Sequence, residues 1–237
     1  MTALDAAAGP RDASATAQAS RPSAPGAHGA HMDRIYRLTR HVYDATRKFF
    51  LLGRDTLLDA VPADATRVVE VGCGTARNLV LLARRRPGAS LFGLDASAEM
   101  LRTASRQVAR AGVADRVTLR HALAEDLRPA LFGLDAPLDA ALFPYSLSMM
   151  PGWRAALDAA IASVRPGGAI LIVDFWDQAA WPGPLRRLLV WWLGLFSVRF
   201  RPELLEHLRH LEGGGAVRLD VRGIGGRYAY IARLTRA

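Results

Sequence analysis

A chain of 237 residues with 51% hydrophobic and 22% charged side chains can bury one substantial core, and two full domains would be tight. Its formal charge of +9 is carried almost wholly by arginine, with Lys48 the single lysine, and favours an anionic contact such as nucleic acid or an acidic membrane face. One cysteine, Cys73, excludes internal disulfides and fits a reducing compartment.

Residues 1 to 30 are mostly Ala, Ser, Pro and Gly, with too little apolar surface to order themselves, and read as a disordered tail. The segment 31–237 reads as one domain. It opens with a helix predicted over 32–59, on which Tyr36, Arg40, Tyr43 and Arg47 recur at spacings of 4, 3 and 4 and so share a face. That face reads either as an amphipathic surface with snorkelling arginines or as an anion- and cofactor-facing lid over a site.

The next stretch, Arg67-Val-Val-Glu70-Val-Gly72-Cys73-Gly74-Thr75-Ala-Arg77-Asn78, is the centre of the chain. Val68, Val69 and Val71 predict a buried strand over 67–72, followed by a glycine turn and a helix over 76–86. Glycines at a helix start let backbone N–H groups approach an anionic or polar ligand. Glu70 is a carboxylate inside an apolar strand, costly unless it binds something. A second strand over 90–95 ends in Asp95, an acid placed to accept hydrogen bonds from ribose hydroxyls. Nicotinamide dinucleotides would suit that acid, but their fingerprint needs a third glycine where this chain has Arg77.

Ser97 is a suitable N-cap for a helix over 97–111, and Met100 on its first turn either covers a ring or joins the core. A strand over 115–120 leads to His121-Ala122-Leu123-Ala124-Glu125-Asp126. A strand over 138–143 then runs into Pro144-Tyr145-Ser146-Leu147-Ser148-Met149, a loop at the carboxyl end where open α/β sheets bind ligands. A helix over 152–163, a turn at Arg165-Pro-Gly-Gly168 and a strand over 169–174 follow. The alternation predicts an α/β, Rossmann-like, doubly wound and mostly parallel seven-stranded sheet. It closes with a helix over 202–211 and two strands near 216–221 and 226–234, an antiparallel C-terminal element at the sheet edge.

Between them, residues 184–201 combine arginines with a tryptophan pair, Trp191-Trp192. That composition suits a helix lying at a membrane interface, and equally one buried in the domain or covering the substrate. The apolar run 188–198 is too short for the roughly 20 residues that span a bilayer. The six histidines show no ligand spacing and no metal is expected.

The pattern acid-x-Gly-x-Gly with a strand-end acid resembles the class I S-adenosylmethionine-dependent methyltransferases. At Leu123 the chain departs from that class, which usually shows an aspartate there. The Tyr36–Asp55 run, Gly72-Cys-Gly-Thr-Ala-Arg-Asn78 and Tyr145-Ser-Leu-Ser-Met149 together look like the bacterial betaine-lipid N-methyltransferases, from about residue 32 onward and more weakly after 180. The resemblance implies S-adenosyl-L-methionine as donor, bound around Glu70, Gly72, Cys73, Gly74, Thr75, Asn78, Asp95, Ala96, Met100, Ala124, Glu125 and Tyr145. Tyr43 and Tyr145 would line the proton path. Tyr36, Arg40, Arg47 and Arg54 would hold the acceptor. It further implies trimethylation of diacylglyceryl-homoserine by a cytoplasmic enzyme peripheral to the inner membrane face. Its partners would be lipid rather than nucleic acid, with the enzyme that makes that lipid as a further candidate. A phosphatidylethanolamine or soluble small-molecule N-methyltransferase is the alternative, and an RNA methyltransferase a lesser one.

Overall fold

A computed structural model describes residues 51–194 and 200–237. The expected tail, the greater part of the Tyr/Arg helix with Tyr36, Arg40, Tyr43 and Arg47, and residues 195–199 lie outside the described residues. Seven strands form one sheet in the order β3-β2-β1-β4-β5-β7-β6. These are β1 (Arg67–Val71), β2 (Ser90–Asp95), β3 (Val117–His121), β4 (Leu138–Pro144), β5 (Val164–Phe175), β6 (Val217–Ile224) and β7 (Ala229–Arg236). Neighbours from β3 through β5 pair in parallel, while β7 runs antiparallel to both β5 and β6. The predicted doubly wound sheet with its antiparallel C-terminal element is therefore present.

Alternate side chains of each strand feed two separate cores. Val68, Leu142, Leu171 and Val173 face one side, and Val69, Val71, Ile170 and Ile172 the other. The first face is covered by α1 (Arg54–Asp59), α2 (Arg77–Arg85) and α3 (Ala98–Arg110), through Leu57, Leu79, Leu82 and Ala104. The second is covered by α4 (Trp153–Ser163) and α6 (Pro202–Gly213), through Trp153, Leu157, Leu204 and Leu208. Each fully buried leucine on these faces contributes about 2 kcal/mol of apolar transfer. The remaining helix, α5 (Gly183–Gly194), follows β5. Ser97 caps α3 as its sequence predicts, its side-chain oxygen accepting from the Met100 N–H at 3.2 Å.

Three boundaries differ from expectation. The predicted 32–59 helix does not run through Gly53, which takes a left-handed φ of 83° and makes Arg54 the start of a new helix. The predicted turn at 165–168 lies within β5. There the pairing jumps from Leu138↔Val164 to Ala140↔Ala169, and Arg165 Nε donates to Asp139 Oδ1 at 2.8 Å across the irregularity. The predicted interface helix over 184–201 is described as a helix only over Gly183–Gly194, and Arg201 stands in extended backbone as the N-cap residue of α6.

Candidate active site

The carboxyl ends of β1, β2, β4 and β5 meet at the point where the strand order reverses between β1 and β4, the place where open α/β sheets hold ligands. A cavity of about 380 Å³ opens there, within the range of small-ligand pockets. Its walls include Arg54, Glu70, Gly72, Cys73, Thr75 and Asn78. All but Arg54 come from the stretch between the end of β1 and the first turn of α2. Arg54 reaches it from α1, although it precedes β1 by more than a dozen residues.

Glu70 is almost fully buried. Its Oε1 accepts from Asn78 Nδ2 at 2.8 Å, which offsets part of the cost of placing a carboxylate inside a strand. The glycine turn sits close against the β4 loop. Gly72 has φ 73°, and a Cβ there would stand 2.9 Å from Ser146 Cβ and 3.2 Å from Met150 Cε. Any side chain at 72 would thus press on the loop as well as strain the backbone. Cys73 lines the cavity, and its thiol side chain is buried in the core cluster on that face of the sheet. Burial first, and then the charges of Asp95 and Glu70, push that thiol well above its ordinary pKa.

Asp95 ties the end of β2 to this turn. Its Oδ2 accepts from the Gly74 N–H at 2.7 Å and its Oδ1 from the Ser97 N–H at 2.9 Å. The end of β3 joins the same corner, since the Ala122 N–H donates to the Asp95 carbonyl and His121 Nε2 lies 3.0 Å from the Ala96 carbonyl. Asp95, Ala96, Met100, Ala124 and Glu125 lie outside the cavity wall itself. Ala124 is buried in a 3-10 turn spanning Ala124–Asp126. Glu125 is exposed, and its Oε1 would lie 3.3 Å from a Cβ at Gly152, the N-cap of α4.

Tyr145 occupies the first position after β4 with φ 58°, a left-handed conformation that a bulky residue adopts only when its surroundings hold it there. Its N–H donates to the Val173 carbonyl at 2.7 Å, its hydroxyl donates to the Leu52 carbonyl at 2.5 Å, and its ring packs on Phe175 at 4.6 Å. Burial, reinforced by Tyr228 and Asp174, raises its phenol far above the ordinary value. The hydroxyl proton is committed to a carbonyl.

Residues that sequence reasoning missed complete the wall and its support. Thr103 and Gln107 line the cavity from α3, and their spacing from Met100 (three, then four residues) puts all three on one helix face, a readable signal. Behind the loop, Asp174 at the end of β5 accepts from the Ser148 N–H at 2.9 Å and the Phe175 N–H at 2.8 Å. Burial pushes its carboxyl up to about 6 against those hydrogen bonds and the charge of Arg201. Arg201 Nε in turn donates to the Ser148 carbonyl at 2.9 Å.

The donor set fits S-adenosyl-L-methionine. A buried carboxylate suits its ammonium, beside a turn that leaves no room for a side chain and whose Gly74 N–H is tied to Asp95 at the end of β2.

Residues 68–168 match the model of the methyltransferase domain family. Among curated relatives, trans-aconitate 2-methyltransferase of Pseudomonas aeruginosa strain PAO1 is 38% identical over 48% of this chain and 49% of its own length. The protein of that name from Streptomyces avermitilis is 30% identical over 72% of this chain and 59% of its own length. The chain spans about half the length of the curated relatives it matches. The solved S-adenosylmethionine-dependent methyltransferase SibL, in its apo form, superposes with a TM-score of 0.62 at 25% identity, over 82% of this chain and 57% of that one. By fold and by these likenesses, residues 68–168 carry the match to the methyltransferase domain family within a Rossmann-like methyltransferase fold, and S-adenosyl-L-methionine is the methyl donor that this family and fold imply.

Proposed function

We propose that the chain methylates a small organic acceptor that bears a carboxylate or a comparable anionic group. The observation that carries this reading is Arg54, a buried guanidinium on the wall of the cavity that also holds Glu70. It supplies fixed positive charge on the cavity wall, where burial strengthens its pull on a carboxylate. The curated relatives named for trans-aconitate, a carboxylate, support the same acceptor class.

When bound, S-adenosylmethionine supplies an electrophilic methyl group on a sulfonium. Glu70, held by Asn78, fixes the donor's ammonium end, and the Gly72–Gly74 turn gives backbone close approach. Asp95 holds the turn in place through the Gly74 N–H. The protein's part is then positioning and exclusion of water. A carboxylate oxygen is nucleophilic as it arrives and needs no base, which suits a site whose Tyr145 hydroxyl is already spent on Leu52.

A second reading, N-methylation of diacylglyceryl-homoserine at a membrane surface, is supported by the family resemblance of the 32–55 and 145–149 runs and by exposed apolar side chains on α5. Labelled donor offered with trans-aconitate, diacylglyceryl-homoserine vesicles and phosphatidylethanolamine vesicles separates the two. Transfer to the free carboxylate supports the first, and transfer confined to the homoserine lipid replaces it with the second. Glu70→Gln should weaken donor binding about 10- to 100-fold by calorimetry, the worth of a hydrogen bond to a charged group.

A further inference from the structure

We infer that α5 is a docking surface for an anionic membrane, and that it sets the carboxyl-end face of the sheet against the lipid. This goes beyond the acceptor reading and does not depend on it.

Leu188 is 59% exposed and Trp191 62% exposed, more than Leu52 at 40%, the third large apolar side chain that stands exposed among the side chains described. Three residues apart on one helix, Leu188 and Trp191 lie on the same face. Arg187, four residues before Trp191, stands at the edge of that face, and both Arg186 and Arg187 are exposed. From residue 178 through 202 the sequence contains no Asp or Glu, while Arg186, Arg187, Arg199 and Arg201 all fall within it. An apolar strip edged with arginine and free of acids is complementary to a bilayer surface carrying negative headgroups, and not to a neutral one. With 12 residues, α5 is about 18 Å long and falls well short of the roughly 30 Å hydrocarbon core, so it would lie in the interface.

The base of α5 is fixed to the site. Trp181, two residues before the helix, donates from its indole nitrogen to the Gly225 carbonyl at 2.8 Å. Its ring lies 5.9 Å from that of Tyr228, which lies 5.8 Å from Phe175, which lies 4.6 Å from Tyr145. This row of four rings leads from the root of the helix to the loop after β4. The exposed Leu52, whose carbonyl takes the Tyr145 hydroxyl, borders the same hairpin turn, its Cδ1 lying 3.4 Å from where a Cβ of Gly225 would stand. The root of the helix that carries Leu188 and Trp191 is therefore tied through packed rings to the loop after β4.

The test is co-sedimentation of the full chain with vesicles of phosphatidylcholine alone and of phosphatidylcholine mixed with phosphatidylglycerol. Binding should appear on the mixed vesicles and weaken in high salt. Leu188→Ala with Trp191→Ala should weaken it about tenfold or more, and Arg186→Gln or Arg187→Gln about fivefold each. Because these side chains are exposed, thermal unfolding of the variants should match the parent, which separates lost docking from lost folding. Equal binding to neutral and mixed vesicles overturns the proposal, as does binding unchanged by the double substitution. A concentration-dependent dimer abolished by the same substitution would make the face a contact between two copies and would also overturn it. Vesicle binding is read without any acceptor, so its failure leaves the acceptor assay above untouched.

Discussion

The Tyr145 hydroxyl donates to the carbonyl of Leu52 at 2.5 Å, joining residues 93 apart in sequence. That contact fastens the loop after β4 to the segment that leads into α1, and α1 carries Arg54 into the donor cavity. It also settles what the phenol can do. A hydroxyl that donates to a carbonyl, with burial raising its pKa, holds its proton at neutral pH.

Tyr145→Phe should therefore keep the shape of the pH–rate profile and keep kcat/KM within about tenfold of the parent. A positioned general base contributes about 100-fold or more, and the tyrosine does not have that role in this geometry. The variant should lose about 1 kcal/mol of stability, the typical net worth of one hydrogen bond. Denaturant unfolding beside steady-state kinetics checks both. A rate loss above about 100-fold with a vanished basic limb would make Tyr145 the proton acceptor instead.

The elements around the site and the contacts that hold the loop differ in how readable they were. Strand and helix positions from 67 to 121 follow from local patterns: apolar runs, the Gly72-Cys73-Gly74 turn, Ser97 ahead of α3. The long-range links have no local signature. Arg54 reads as one arginine among many until α1 buries it against the cavity, and Leu52, Ser148 and Arg201 acquire their roles through contacts spanning 93, 26 and 53 residues. The expected helix was carried through Gly53 on a spacing that ends at Arg47, whereas the left-handed backbone at Gly53 starts a new helix at Arg54. Local spacing marked the donor turn, whereas what faces the acceptor depends on tertiary packing.

Asp174 gives the loop a dependence on pH. An aspartate ordinarily titrates near 3.9, and burial moves this one up to about 6. Between those values the folded state holds a proton that the unfolded state has released. This group's contribution to stability is therefore full below about pH 4 and is lost as pH rises through about 6, by about 3 kcal/mol in all. Asp174→Asn removes that change. Unfolding free energies of parent and variant at pH 4, 5, 6 and 7 should show the variant gaining on the parent across the series. A difference that stays constant with pH would show that Asp174 titrates normally.

Asp139 works in the opposite sense and at the far end of the sheet. Burial works to raise its carboxyl, but hydrogen bonds from Arg165, from the Arg67 and Thr66 backbone N–H groups and from the Arg67 side chain outweigh it and hold the group well below the ordinary carboxylate range. Its contribution is thus present above the ordinary value near 3.9 and is lost as pH falls below it. Through those contacts Asp139 clamps the start of β1 to the irregular start of β5. The start of β1 lies four residues from Val71 at its other end, about 13 Å along the strand, and the glycine turn lies beyond that. Asp139→Ala leaves Arg165 and two backbone donors without their shared acceptor and should cost about 3 kcal/mol of stability above pH 5. Donor affinity measured on the folded protein should be unchanged, because nothing in the Glu70, Asn78 and Asp95 arrangement rests on Asp139. Lost stability with an intact donor dissociation constant is the expected pair of results. A weakened donor constant in a variant that unfolds like the parent would instead place Asp139 in the binding machinery, and the smaller change Asp139→Asn, which keeps one oxygen for the Thr66 and Arg67 N–H groups, should fall between the two in stability.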